Sequence, residues 1–214
     1  MTWVLNNLDV IASRTWSHLA LALPAIVLAF VLSVPVGALA NRYRWSRPAL
    51  LTAAGLMYAI PSLPLFVVLP TIIGVGVRDR LNVIAAMTLY GMALMVRSAA
   101  DALASVGEPV RLSATALGYS GAGRFWRVDL PLAGPVLLAG LRVVAVSTIS
   151  LVTVSSLLGV DNLGMLFTDG FQRGIIAEVV TGILATVVLA LIVDGLLVLA
   201  GRAVMPWAKV VRTT

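Results

Sequence analysis

The residues of this chain that could do chemistry are few and widely separated. Cysteine is absent and His18 is the single histidine, so there is no thiol nucleophile and no His and carboxylate cluster at metal-ligand spacing. The sequence also lacks the Gly-x-x-x-x-Gly-Lys-Ser/Thr loop that binds nucleotide phosphates. An intramembrane protease or lipid transferase would need a nucleophile with a base, or clustered carboxylates. We therefore expect no catalytic site, and no metal or cofactor bound by this chain.

Two charged residues stand out because they lie inside long apolar segments. Arg142 and Asp194 each fall about ten residues from the same end of the bundle, a depth of roughly 15 Å at the helical rise of about 1.5 Å per residue. Charges in the membrane interior are costly and usually pair. The favoured interpretation is a structural ion pair between consecutive antiparallel helices, while a role in a substrate path and separate polar partners stay open.

Small hydroxyl residues form a second group, concentrated in the segment that contains Arg142. Such residues are common where helices pack closely in membranes, and they also line hydrated pathways. Both interpretations stay open. Ser62 lies between two prolines, where a broken helix could meet such a path. The candidate path residues are Ser62, Ser147, Thr148, Thr153 and Ser156.

The elements that position these residues must be membrane helices. Of the 214 residues, 60% are hydrophobic and 11% are charged, whereas soluble domains carry about 25% charged residues. The run 19–40 contains no charge, and about 20 such residues span a bilayer. A soluble enzyme, a disordered chain and a nucleic-acid-binding domain are poor interpretations, despite the net charge of +6.

The apolar runs predict an all-α membrane protein with about five transmembrane helices in one domain, residues 1–214. Pro61, Pro64 and Pro70 predict that the second span is bent or interrupted. We expect a short interfacial helix before the first span and an interfacial His18. Glu178, at the outer end of the last span, is expected to be solvated or to lie at the rim of a gate rather than to bind the solute. The spans are predicted at 19–40, 49–73, 82–104, 132–158 and 175–204.

The distribution of basic residues predicts the orientation. Cytoplasmic loops carry the excess of Lys and Arg, and most of the basic residues here fall on one side of the predicted spans. We therefore expect the N-terminus outside and the C-terminus in the cytoplasm. The residues on the cytoplasmic side are Arg42, Arg44, Arg47, Arg111, Arg124, Arg127, Arg202, Lys209 and Arg212.

One cytoplasmic loop, residues 107–131, is too long and too patterned for a simple connector. Its sequence predicts a short helix over 110–117 that ends at Gly118, then a tight turn permitted by Gly121 and Gly123. A further segment restarts at residue 125, and Pro131 is expected to stop it. A short helix held across the cytoplasmic face by two arms suits docking into the groove of a partner protein.

This loop resembles the signature of the permease subunits of type I ABC importers. That signature reads Glu-Ala-Ala, three residues, Gly, nine residues, then an aliphatic residue, any residue, and Leu-Pro. Only the last residue of the triplet is kept, because Leu112 replaces the glutamate. The resemblance implies a coupling helix that sits in a cleft of the ATPase subunit. The residues aligned with the signature, with the one that precedes the glycine, are Leu112, Ser113, Ala114, Leu117, Gly118, Val128, Leu130 and Pro131.

Other stretches resemble one branch of these permeases, which serves glycine betaine, choline, carnitine and related osmoprotectants. The resemblance implies a multi-pass protein of the bacterial plasma membrane, with two ATPase subunits that bind ATP and Mg, a second permease subunit, identical or different, and an extracellular solute-binding protein. A permease for another small solute, such as an amino acid, and an ATP-independent channel or carrier are the alternatives. The resembling stretches are TWSHL at 15–19, IPSL at 60–63, LY at 89–90 and LPLAGP at 130–135.

The same resemblance places substrate affinity on the binding protein. The tryptophans fall mainly near the predicted membrane boundaries, where indole rings normally settle. We therefore do not expect an aromatic cage for a quaternary ammonium group to be built from them. The boundary tryptophans are Trp3, Trp16, Trp45 and Trp207.

Overall fold

The computed structural model describes residues 2–43 and 45–208, and all regular secondary structure in them is helical. Arg44, Lys209 and Arg212, which contribute to the charge distribution above, lie outside the described residues. The elements in chain order are α1 (Thr2–Leu5), α2 (Leu8–Arg42), α3 (Ser46–Ala59), α4 (Ser62–Ile73), α5 (Arg80–Ala104), α6 (Glu108–Ala116), α7 (Gly121–Arg124), a π-helical turn (Phe125–Asp129), α8 (Leu130–Val152), a 3-10 segment (Thr153–Leu158), α9 (Met165–Gln172) and α10 (Ile176–Val204).

Four helical stretches are long and apolar enough to cross a membrane: α2, α5, the continuous stretch Gly121–Leu158, and α10. The pair α3 and α4 could supply a fifth crossing, although its two halves are bent by 107°. The expected interfacial helix before residue 19 is wrong in its extent. Residues 8–18 already belong to α2, since Ile11 packs against the core as Leu19 does.

The contacts between α2 and α5 show that these two helices run in the same direction. Gly91 of α5 lies against Ala29 of α2, and eight residues later Ala99 lies against Gly37. A Cβ atom added at Gly37 would stand 2.6 Å from the Cβ of Ala99, and the same distance separates an added Cβ at Gly91 from Ala29. Small residues of this kind let membrane helices approach closely, where van der Waals packing is the main attraction.

Because α2 and α5 are parallel, the chain between them must cross the bundle once. Arg47, at the start of α3, bonds Asp101 near the end of α5 at 2.7 Å. At the other end of the bundle, the Nδ2 group of Asn82 donates to the carbonyl of Phe66 in α4 at 2.9 Å. The α3–α4 pair is therefore one broken crossing rather than a segment that returns to its own side.

The helices α8 and α10 each run antiparallel to the helix against which they pack. Gly140 of α8 lies against Ser98 of α5, whereas Val144 lies near Gly91, so α8 is antiparallel to α5. Gly201 of α10 in turn lies against Leu138 of α8. Within residues 2–43 and 45–208, the helices pass along the bundle five times when the bent pair α3–α4 is counted as one passage, and α2 begins at the end opposite to that where α10 finishes. The interruption of the second predicted span at its prolines is confirmed, with the break at Ile60 and Pro61.

Candidate functional site

The loop 107–131 contains α6, which ends in a hydrogen-bonded glycine cap. The N–H of Gly118 donates to the carbonyl of Thr115 at 3.0 Å, and the N–H of Tyr119 donates to Ala114 at 3.2 Å. These two bonds form a Schellman motif. Gly118 has φ +85°, which a residue with a Cβ adopts at a cost. The prediction that the short helix ends at Gly118 is confirmed.

The second half of the loop differs from expectation, because it is a continuous helix that leads into α8. Gly121 and Gly123 lie in α7 rather than in a tight turn, and the hydroxyl of Ser120 caps this helix by accepting from the N–H of Gly123 at 3.2 Å. The next turn is π-helical, with the N–H of Leu130 bonded to Phe125. Pro131 does not stop the helix. It lies in the first turn of α8, where the wider π turn accommodates its missing N–H.

A buried carboxylate joins α6 to the base of α8. Asp129 is 6% exposed, and Arg111 of α6 and Arg124 of α7 each bring a guanidinium Nε to 3.4 Å from one of its oxygens. Arg111 also donates to the carbonyl of Leu103, at the end of α5, at 2.5 Å. We call Arg111, Asp129 and Arg124 the arginine clasp. Sequence reasoning missed it because its members follow no helical or strand spacing.

The predicted coupling residues divide between an outward and an inward face. Leu112 and Leu117 are 63% and 79% exposed, whereas Ala114 is 5% exposed. The outward face is therefore apolar where the family signature has a glutamate. Such a ridge fits a groove in a partner protein. Ser113 and Gly118 share the exposed side, and the half-buried residues at the base of α8 are Val128, Leu130 and Pro131.

Deeper in the bundle, the structure brings Arg142 and Asp194 together. The Nε and one terminal nitrogen of Arg142 donate to the two carboxylate oxygens of Asp194, both at 2.7 Å. This bidentate geometry is the strongest that an arginine and a carboxylate can form. The pair links α8 to α10 in the middle of both helices.

The candidate path residues do not form one surface. Thr148 and Ser156 are 3% and 6% exposed, and the hydroxyls of Ser156 and Thr153 donate to carbonyls of their own segment at 2.7 and 2.6 Å. These bonds favour the packing interpretation for Thr153 and Ser156. Ser62 and Ser147 are half-buried and stay path candidates.

The end of the bundle where α2 begins holds two residues whose predicted environment is wrong. His18 is fully buried, and its Nε2 lies 2.9 Å from the carbonyl of Ile149. That carbonyl is available because the N–H of Thr153 bonds nearer carbonyls as α8 tightens into the 3-10 segment. Glu178 is 1% exposed and bonds Arg173 at 2.6 Å. Both predictions failed because packing against neighbouring helices decides burial, and that packing is not visible in one segment.

The charged residues around Glu178 form ion pairs and not a metal site. Across residues 2–43 and 45–208, no three His, Asp or Glu side chains converge in a way that could hold a metal ion. Arg14 of α2 instead bonds Asp169 of α9 at 2.8 Å. These charges therefore tie the start of α2 to α9 and, through Glu178, to α10.

Comparison with known proteins identifies the family. Residues 33–205 match the family model described as binding-protein-dependent transport system inner membrane component. The osmoprotectant import permease protein OsmW of Salmonella typhimurium is 32% identical over 91% of this chain and 92% of its own length. The glycine betaine/carnitine/choline transport system permease protein OpuCB of Bacillus subtilis is 26% identical over 96% of this chain and 94% of its own length.

A solved structure shows that the fold is shared as well. An inward-facing structure of the MetNI methionine ABC transporter matches with a TM-score of 0.76 and 20% sequence identity, over 94% of this chain and 97% of that chain. These findings confirm the resemblance that was drawn from the loop 107–131. This chain therefore belongs to the family of binding-protein-dependent transport system inner membrane components, the permease subunits of ABC importers.

Proposed function

We propose that this permease moves a quaternary-ammonium osmoprotectant, such as glycine betaine or choline, from a solute-binding protein into the cytoplasm. The observation that carries the proposal is the similarity to OsmW and OpuCB along nearly the whole chain. The choline transport system permease protein OpuBB of Bacillus subtilis, 25% identical over 90% of this chain, supports the same substrate class.

The expected partners are ATPase subunits and a second permease subunit. This chain contains no phosphate-binding loop, so ATP and Mg bind to two ATPase subunits that dock on α6. Five crossings are few for a complete pathway, so a second permease subunit, identical or different, completes it. The N-terminus lies outside and the C-terminus in the cytoplasm, because the arginine-rich end of the bundle carries the coupling loop.

The geometry of the loop suggests how ATP moves the helices. When the two ATPase subunits close, they displace α6. The arginine clasp joins α6 to Asp129, and the helix is continuous from α7 through the π turn into α8. The displacement therefore reaches Arg142 and, through its ion pair, α10. The result is a shift from the inward-facing to the outward-facing population of the permease.

Reconstitution of the complete importer tests this proposal. The chain, its ATPase, its binding protein and any second permease subunit are placed in proteoliposomes, and uptake of labelled glycine betaine, choline, carnitine and a panel of amino acids is measured with and without ATP. We expect ATP-dependent uptake of at least one quaternary-ammonium solute. Uptake confined to amino acids would support the other permease class, and uptake without ATP or ATPase would support a channel or carrier.

A copurification experiment tests the coupling loop separately. Gently solubilised, tagged wild-type permease should bring down the ATPase, and a Leu112→Glu, Leu117→Glu double variant should not, because both side chains stand on the exposed ridge of α6. The Val204→Glu variant, at the exposed last residue of α10, tests whether any charge added at this end of the bundle has this effect. Equal recovery of ATPase with all three proteins would contradict docking on α6.

A further inference from the structure

The break between α3 and α4 lies near the middle of the membrane. The hydroxyl of Tyr90 donates to the carbonyl of Ile60, the residue that follows α3. Tyr90 neighbours Gly91, which is the twelfth of the 25 residues of α5 and packs against Ala29 of α2. The break is thus held at mid-depth by the side chain of a neighbouring helix.

The backbone at this break is short of hydrogen-bond donors. The last turn of a helix leaves carbonyls without intrahelical partners. The N–H of Ile60 bonds Met57 at 3.4 Å, and Pro61 has no N–H to extend the ladder. Lipid cannot satisfy such carbonyls, so a break at this depth must face protein or a water-filled cavity. The surface at the end of α3 therefore faces protein or a water-filled cavity and not the lipid.

A tyrosine ring stands on that surface. Tyr58, in the last turn of α3, is 46% exposed, and its ring centroid lies 6.0 Å from that of Tyr90 in a T-shaped arrangement of 85°. Tyr90 itself is 5% exposed. The buried ring therefore supports the exposed one, as edge-to-face aromatic pairs do. The tryptophans that the sequence places near the membrane boundaries have no part in this arrangement.

We propose that the end of α3 is a binding site for the quaternary-ammonium head of the transported solute. A methylated ammonium group cannot donate hydrogen bonds, but it is attracted to aromatic faces and to partial negative charge. The ring of Tyr58 supplies the aromatic face. The free carbonyls at the C-terminal end of α3, where the helix dipole is negative, supply the partial negative charge. The inference rests on the proposed function and adds where in the permease the solute pauses.

The site suits transport because it is neutral. A carboxylate would hold the cation tightly in a low-dielectric interior, whereas a ring and carbonyls attract it more weakly and let it leave. Discontinuous membrane helices place carbonyl ends at substrate and ion sites in other transporters by the same physics.

Ring fluorination tests the site, because each fluorine weakens the negative face of the ring with little change in its size. Tyr58→Phe and Phe analogues with one, two and three fluorines at position 58 are compared for the turnover of glycine betaine uptake by the reconstituted importer. We expect Tyr58→Phe to match the wild type. Turnover should then fall stepwise to about a 2- to 30-fold loss, the range for one cation–π contact. Val67→Ala, which shortens an exposed side chain of α4 outside the site, should leave turnover unchanged.

ATP hydrolysis separates this role from a structural one. A weakened site slows the solute while hydrolysis stimulated by the loaded binding protein continues, so the ratio of solute moved to ATP hydrolysed should fall with fluorination. A flat series would overturn the site, and so would a parallel loss of hydrolysis and transport. If the wild-type importer takes up neither glycine betaine nor choline, the proposed function itself is wrong, whatever the variants do.

Discussion

Asp129→Asn should loosen the coupling helix from the base of α8. The substitution keeps the size of the side chain and removes its charge, so Arg111 and Arg124 face each other with only a neutral amide between them. Asp129 is 6% exposed, and removing one partner of a fully buried pair costs about 3–5 kcal/mol.

The expected cost is smaller in this clasp. The side chains of Arg111 and Arg124 are 27% and 33% exposed, so solvent screens their attraction to Asp129. Both Nε atoms lie 3.4 Å from the carboxylate, and only that of Arg124 forms a hydrogen bond, which is long. Hydrogen bonds to charged groups contribute about 1.5–3 kcal/mol. We therefore expect a loss of about 2 kcal/mol in the docking of α6, which is roughly a 30-fold rise in its detached population at about 1.4 kcal/mol per decade.

Hydrogen exchange of the importer in nanodiscs measures this change directly. Amides of α6 should exchange up to about 30-fold faster in Asp129→Asn, while those of α5 and α10 keep the wild-type rate. Transport per ATP hydrolysed should fall, because displacement of α6 no longer reaches α8. Arg127→Gln is the matched control, since Arg127 is an exposed residue of the same π turn. Exchange in α6 within twofold of the wild type, or an equal effect of Arg127→Gln, would refute the role of the clasp.

Three further substitutions test other parts of the bundle. Asp194→Asn should lower the yield of assembled importer on size-exclusion chromatography because Arg142 loses both of its 2.7 Å bonds; partial recovery is expected when the two charges are exchanged, and a fully assembled, fully active Asp194→Asn variant would contradict the need for the pair. Gly118→Ala meets no atom within 4 Å but must adopt φ +85°, so thermal unfolding of the permease should show a loss of about 1–2 kcal/mol. Gly76→Ala, at an equally open glycine without a positive φ, should cause no such loss. Gly37→Val should destabilise the permease more strongly, since a Cβ there would stand 2.6 Å from that of Ala99; unchanged thermal stability would argue against the close packing of α2 on α5.

Much of the helical framework could be predicted because a membrane restricts the alternatives. Apolar runs of sufficient length must become helices, and prolines inside one of them locate its break, as at Pro61. Arg142 and Asp194 could be matched because a charge in an apolar run has few partners, and the helical rise gives its depth.

The parts that could not be predicted depend on contacts between elements distant in the sequence. Glu178 carries no signal that Arg173 and Arg14 will cover it. His18 is buried because a carbonyl of α8 becomes free where that helix tightens. Pro131 reads as a helix stop by propensity, yet it is tolerated in the first turn of α8 after the π turn.

The π turn links the number of residues in the loop to the orientation of α6 relative to α8. Each residue of an α-helix advances its direction by about 100°, and a π turn accommodates one residue more than an α turn does. Deleting one residue from Phe125–Asp129 could restore a regular helix without breaking the chain. It would also swing α6 around the axis of α8 and point the ridge of Leu112 and Leu117 away from its docking direction. The number of residues between Gly118 and Val128 thus fixes the direction in which α6 presents its exposed leucines, and an insertion or deletion there would rotate that direction.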